Sequence, residues 1–192
     1  MWNLPNLLTL FRIALIPVLV LIYFWPMPYR EPVLAGVFVL AALTDWLDGF
    51  LARRMNATTR LGAFLDPVAD KLIVSSALVL LVSDSDILAA VLHPAPFAIA
   101  VTIIVGREIT ISALREWMAE LGERGVVAVG FLGKIKTVMQ MVAIALLLYM
   151  LPVHGLPTFL IGEIALYVAA VLTLWSMVEY LRITWPYLMQ RD

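Results

Sequence analysis

No cysteine occurs in this chain. That excludes a disulfide, a thiolate nucleophile and any cysteine metal site. Histidine is almost as scarce: His93 and His154 are the two present. Both fall in short links between apolar runs, where they read as loop residues. Charge is thin as well. Charged residues make up 14% of the chain, against about 25% in a soluble domain. The net charge of −1 gives no bulk positive field, so no nucleic-acid partner is expected. The first positive charge is Arg12 and no small-residue cleavage site follows the first apolar run, so a removable signal peptide is not expected.

What is abundant is apolar surface. Hydrophobic residues are 63% of the sequence and the mean hydropathy is +0.98. The expectation is an all-α integral membrane protein forming one domain over residues 1–192. Six segments approach the length needed to cross the hydrocarbon. They are Ile13–Trp25 (extended back through Leu7–Phe11), Pro32–Leu51, Ala63–Val82, Pro96–Leu114, Val126–Met150 and Phe159–Leu181. The amphipathic start, Trp2 to Arg12, is expected either to lie on the membrane surface as a short interfacial helix or to begin the first span. With six spans and a cytoplasmic N-terminus, twelve of the thirteen Lys and Arg residues fall at or near the cytoplasmic side, and Arg30 alone falls outside. That bias predicts both termini in the cytoplasm.

Four aspartates interrupt this oily chain within a short stretch: Asp45, Asp48, Asp66 and Asp70. Each would cost about 2.5–3.5 kcal/mol at a bilayer centre if nothing compensated it. Carboxylates held close together also oppose each other's ionisation unless a cation sits between them. Asp45 and Asp48 are spaced i, i+3 and share one face of the second span; Asp66 and Asp70 are spaced i, i+4 and share one face of the third. Arg53, Arg54 and Arg60 place the turn between them in the cytoplasm. The two spans are then antiparallel neighbours, and four carboxylates are expected to converge at similar depth. Hard oxygen donors of this kind suit magnesium, manganese or calcium. Two ions could share them and clamp a phosphoryl group. Gly49 and Ala52 keep the face beside Asp48 thin, and Arg53 can reach a phosphate oxygen. Asp66 precedes Pro67 and is expected as a possible N-cap, with proline at the first helical position.

The run from Asp45 to Asp70 resembles the signature of the CDP-alcohol phosphotransferase family, D-x2-D-G-x2-A-R-x8-G-x3-D-x3-D. Every fixed position matches: Asp45, Asp48, Gly49, Ala52, Arg53, Gly62, Asp66 and Asp70. The resemblance implies six membrane spans and transfer of a phosphatidyl-type group from a CDP-linked lipid to an alcohol, with release of CMP. It implies Asp45, Asp48 and Asp66 as metal ligands, with one or two Mg2+ or Mn2+ ions. It makes Asp70 the catalytic base, which also touches metal. Gly49, Ala52 and Arg53, with Asn6 and Thr9, would contact the CDP-lipid. The softer runs Asn3–Thr9, Arg107–Gly122 and Gly133–Thr137 are grouped as in bacterial members that use CDP-diacylglycerol and sn-glycerol 3-phosphate. The resemblance therefore implies a bacterial cytoplasmic (inner) membrane, a cytoplasmic active site, membrane lipids as surroundings and a homodimer as a possible state.

Residue chemistry agrees with an anionic acceptor. Arg107, Arg115, Lys134 and Lys136 fall on the cytoplasmic ends of the fourth and fifth spans, and such cations bind a phosphate monoester. Cytoplasmic helix ends carry cations for topological reasons too. Glu108 could pair with any of them. The rivals are a family member with another acceptor (cardiolipin or phosphatidylinositol-phosphate type), a membrane prenyltransferase and an ion-coupled transporter. A prenyltransferase would carry two aspartate motifs far apart, and a transporter would carry discontinuous helices and an internal repeat. The sequence shows neither pattern.

Overall fold

The computed structural model describes residues 4–55, 59–122 and 131–189. Six long helices and one short one account for nearly all of them: α1 (Leu4–Phe24), α2 (Arg30–Met55), α3 (Arg60–Ser83), α4 (Ser85–Ala90), α5 (Pro94–Glu120), α6 (Phe131–Tyr149) and α7 (Thr158–Leu188). Among the described residues no strand is present beyond an isolated bridge between Val153 and Leu156. The packing closes a ring: α1 on α2, α2 on α6, α6 on α7, α7 on α5, α5 on α3 and α3 back on α1.

The outside of this ring is apolar. Leu21, Phe24, Trp25, Val79, Ile109, Val138, Val171 and Trp175 are all exposed. A soluble protein hides such residues; here hydrocarbon is the matching solvent. Three helices, α1 from Asn6, α5 and α7, are long and apolar enough to cross a membrane by length and composition. The interior carries the polar groups, including Arg12, Lys136, Gln140, Glu163 and Thr173.

Two local expectations are corrected. The N-terminal segment is not a separate interfacial helix, because α1 runs unbroken from Leu4 to Phe24. Asp66 is not an N-cap. α3 starts at Arg60, and its N-cap is Thr59, whose hydroxyl accepts from the Gly62 amide at 3.0 Å. Pro67 therefore lies inside α3, where it removes the amide that would bond the carbonyl one turn back. The helices also overrun their apolar cores. α5 continues to Glu120 and α7 to Leu188.

The end of the bundle away from the aspartates is tied by polar contacts. Asp84 caps α4 through the amides of Asp86 (2.8 Å) and Ile87 (3.2 Å). The Tyr23 hydroxyl donates to Asp84 at 2.7 Å, joining α1 to the end of α3. Burial pushes the Asp84 carboxyl up, but Tyr23, the two amides and Arg30 outweigh it and hold it below its usual range. The Glu163 carboxylate, 1% exposed on α7, accepts from the Leu92 amide at 3.1 and 3.2 Å and from the Tyr167 hydroxyl at 2.7 Å.

α6 and α7 cross closely at Gly162. A Cβ there would stand 2.9 Å from Leu146 Cβ and 3.2 Å from the Ala143 carbonyl oxygen. Neither is the free end of a flexible side chain. Gly162→Ala gains about 1 kcal/mol of helix propensity but forces the helices apart, at about 1–3 kcal/mol for overpacking. The expected result is a lower melting temperature in detergent, and an unchanged or higher one would show that the crossing has slack.

Candidate functional site

The aspartates gather around α1, and a cation is already among them. Arg12 is fully buried. Its Nη1 lies 2.6 Å from Asp45 Oδ1, off the line of a good hydrogen bond, and its Nη2 donates to Asp48 Oδ2. One turn earlier on the same helix, the Thr9 hydroxyl donates to Asp66 Oδ1 at 2.6 Å and lies 3.5 Å from Asp48 Oδ2. α1 thus reads carboxylates on both α2 and α3. Asn6, also buried, accepts from the Thr59 hydroxyl at 3.0 Å. Gly62 makes room for this contact, since a Cβ would stand 2.6 Å from Asn6 Oδ1 and displace that side chain.

The expected convergence of four free carboxylates takes a different form. Among the described residues no group of three His, Cys, Asp or Glu side chains is arranged to hold a metal ion, and Arg12 engages two of the four. The donor set itself (Asp45, Asp48 and Asp66, with the Thr9 hydroxyl beside them) is all hard oxygen and fits Mg2+ or Mn2+ in kind. Gly49, Ala52 and Arg53 are placed on α2 and Lys134 on α6, but their side chains lie outside the described residues.

Asp70, one turn past Asp66, lines a cavity of about 220 Å³ between α3, α5 and α6. Lys71, Arg107, Glu108, Arg115, Lys136, Thr137 and Gln140 line it too. Four cations face two carboxylates there, so the cavity favours an anion. Glu108 Oε1 takes both Arg107 Nη1 at 3.1 Å and Lys136 Nζ at 3.0 Å. α7 supports the arginines from behind. Ser176 accepts from Arg107 at 3.3 Å and the Tyr180 hydroxyl accepts from Arg115 at 2.9 Å, with both guanidinium groups near the Tyr180 ring. The structure thus brings Asp70, Arg107, Arg115 and Lys136 to one cavity.

Beside this lies a second, apolar cleft of about 590 Å³ between α2 and α6. Phe38, Leu43, Trp46, Val138 and Val142 line it, and Asp45 stands on its wall. Thr137 and Met141 border both the cleft and the anionic-ligand cavity.

A family model described as CDP-alcohol phosphatidyltransferase matches residues 2–175. The chain belongs to the CDP-alcohol phosphatidyltransferase family. A Pectobacterium atrosepticum protein is 52% identical over 182 residues, covering 94% of this chain and 93% of the relative. Proteins from Salmonella choleraesuis and Shigella flexneri are 50% and 49% identical over 180 residues, with the same coverage. All three are named CDP-diacylglycerol–glycerol-3-phosphate 3-phosphatidyltransferase. This chain is accordingly a transferase, and the family is generally dependent on a divalent metal. Membership also removes the prenyltransferase and the transporter.

Arg12 is one residue whose role was missed. The sequence signal was present, as a cation one turn from Thr9 in an apolar run, but it served only to set topology. Breaking a buried ion pair costs about 3–5 kcal/mol; here less is expected, because Asp45 is 39% exposed. Arg12→Met should lower the melting temperature in metal-free buffer. A melting temperature equal to that of the unsubstituted protein would show that the carboxylates do not depend on Arg12.

Proposed function

We propose that the protein transfers the phosphatidyl group of CDP-diacylglycerol to sn-glycerol 3-phosphate, giving phosphatidylglycerophosphate and CMP. The observation that carries this is the shared border at Thr137 and Met141. It sets a cation-rich cavity holding Asp70 against an apolar cleft holding Asp45, so a water-soluble anion and a lipid can meet there. The names of the similar proteins support the same pair of substrates.

The acyl chains lie along the cleft between α2 and α6 and remain in the bilayer. The diphosphate sits at the aspartate end, where Asn6, Thr9, Gly49, Ala52 and Arg53 contact the CDP moiety. Asp45, Asp48 and Asp66, with Asp70 beside them, would hold Mg2+ or Mn2+, as one or two ions, which would neutralise the diphosphate and the departing CMP. Arg107, Arg115, Lys134 and Lys136 bind the acceptor phosphate and turn its primary hydroxyl toward Asp70. Asp70 takes the hydroxyl proton as that oxygen attacks the lipid-side phosphorus. The phosphorus–oxygen bond to CMP breaks, and CMP leaves with the electron pair. Much of the acceleration is positioning of two anions that would otherwise repel.

In this reading residues 1–192 form one domain with six spans, both termini and the site on the cytoplasmic side of a bacterial cytoplasmic membrane. Pairing of two copies is expected from the family resemblance alone.

The deciding experiment follows CMP release from CDP-diacylglycerol with and without glycerol 3-phosphate. Asp70→Asn should abolish turnover while CDP-diacylglycerol binding persists. Near-normal turnover would remove Asp70 as base, and loss of binding as well would make it chiefly a ligand. Chelation of divalent metal should stop the reaction, and Mg2+ or Mn2+ should restore it. Full activity in protein shown by elemental analysis to be metal-free would refute metal dependence.

A further inference from the structure

Gln140 lies on α6 one helical turn beyond Lys136 and lines the same cavity as Asp70, Arg107 and Arg115. It is 3% exposed, and its Oε1 is buried without a hydrogen-bond partner. Buried acceptors are rarely left without a donor, because the lost solvation is not recovered. The nearby cations point other donors at other partners, and the Nε of Arg107 and of Arg115, each buried without a partner, does not reach Gln140. Lys136 Nζ is on Glu108, Arg107 is on Glu108 and Ser176, and Arg115 is on Tyr180. An amide oxygen adds nothing to the recognition of a phosphate, which brings only acceptors when fully ionised. It is suited to a hydroxyl.

We infer that Gln140 Oε1 accepts a hydrogen bond from the secondary, non-reacting hydroxyl of the acceptor, and so selects both the polyol phosphate and its handedness. The inference rests on the functional reading above, and elimination within one small molecule carries it. Glycerol 3-phosphate offers three polar groups. Its phosphate calls for the cations. Its primary hydroxyl gives a proton to Asp70. Its secondary hydroxyl calls for an acceptor other than the base, and among the described residues lining the cavity Gln140 Oε1 is the buried acceptor that has no donor.

Handedness follows from the same geometry. Once the phosphate and the attacking oxygen are held, two substituents remain to be told apart at the central carbon: a hydroxyl and a hydrogen. Exchanging them converts sn-glycerol 3-phosphate into its mirror image. One acceptor on one wall of the cavity is therefore enough to distinguish the two. Charge alone is not, since the cations see the same phosphate in both.

The test uses the full-length protein in mixed micelles and measures CMP release from CDP-diacylglycerol with three acceptors. These are sn-glycerol 3-phosphate, its enantiomer sn-glycerol 1-phosphate, and 3-hydroxypropyl phosphate, which lacks the secondary hydroxyl. In the unsubstituted protein kcat/KM should favour the first over each of the others by on the order of 10–100-fold. In Gln140→Leu, sn-glycerol 3-phosphate should fall to the level of 3-hydroxypropyl phosphate, whose own value stays unchanged, and the preference for one enantiomer should collapse. Equal use of sn-glycerol 3-phosphate and 3-hydroxypropyl phosphate by the unsubstituted protein overturns the role of Gln140, and this comparison stands even if the variant does not fold. So does a Gln140→Leu protein of normal melting temperature that keeps its discrimination or weakens all three acceptors alike. In both cases CMP release persists and the functional reading survives. Absence of CMP release from the unsubstituted protein with any acceptor overturns that reading, and this inference with it.

Discussion

The contact on which the active end of the bundle depends is the guanidinium of Arg12 against Asp45 and Asp48. A cation with no access to solvent is tolerable only when opposite charge is fixed beside it. Here the partners come from α2, while Thr9 on the same helix reaches Asp66 on α3. α1 therefore works as a spine that sets the depth and rotation of both helices carrying the aspartate signature. The same arrangement eases the charge problem posed by the sequence, because one cation from within the fold faces two of the carboxylates and leaves the group net negative.

Around that contact the protein inverts the usual distribution of polarity. Its surface suits lipid and its interior suits ions. This matters for a reaction joining one substrate dissolved in the membrane to another dissolved in water. A soluble fold would have to extract the lipid, and a purely apolar bundle would exclude the acceptor. The apolar cleft and the cation-rich cavity adjoin at Thr137 and Met141, so surroundings of both kinds meet within one bundle.

The sequence showed the helices and the chemistry more clearly than it showed their partners. Apolar runs located six of the seven helices, since a span must satisfy its backbone internally. Fixed spacing revealed Asp45, Asp48, Asp66 and Asp70, because residues one turn apart share a face whatever the tertiary structure. The helix start at Arg60 was missed because Pro67 is a familiar opening residue, whereas the decisive signal was the weaker one, Thr59 capping Gly62. Arg12 was misjudged for a different reason. Its partners lie more than thirty residues away, on a helix whose rotation no local pattern specifies. Ser176 and Tyr180, which hold the arginines of the cavity, were invisible for the same reason.

The close crossing at Gly162 also acts at a distance. The cavity wall on α6 carries Lys136 and Gln140, and the support for the arginines is Ser176 and Tyr180 on α7. Gly162 lies fourteen residues from Ser176 along α7, about 21 Å of helix. The two helices can be pictured as the arms of a pair of tongs, with the glycine at their close crossing. A rotation of about 3° there moves the far ends by about 1 Å over that length, enough to spoil the alignment of reacting groups. The fit of the jaws is thus tuned by the absence of one methyl group at a crossing that lines neither the cavity nor the cleft.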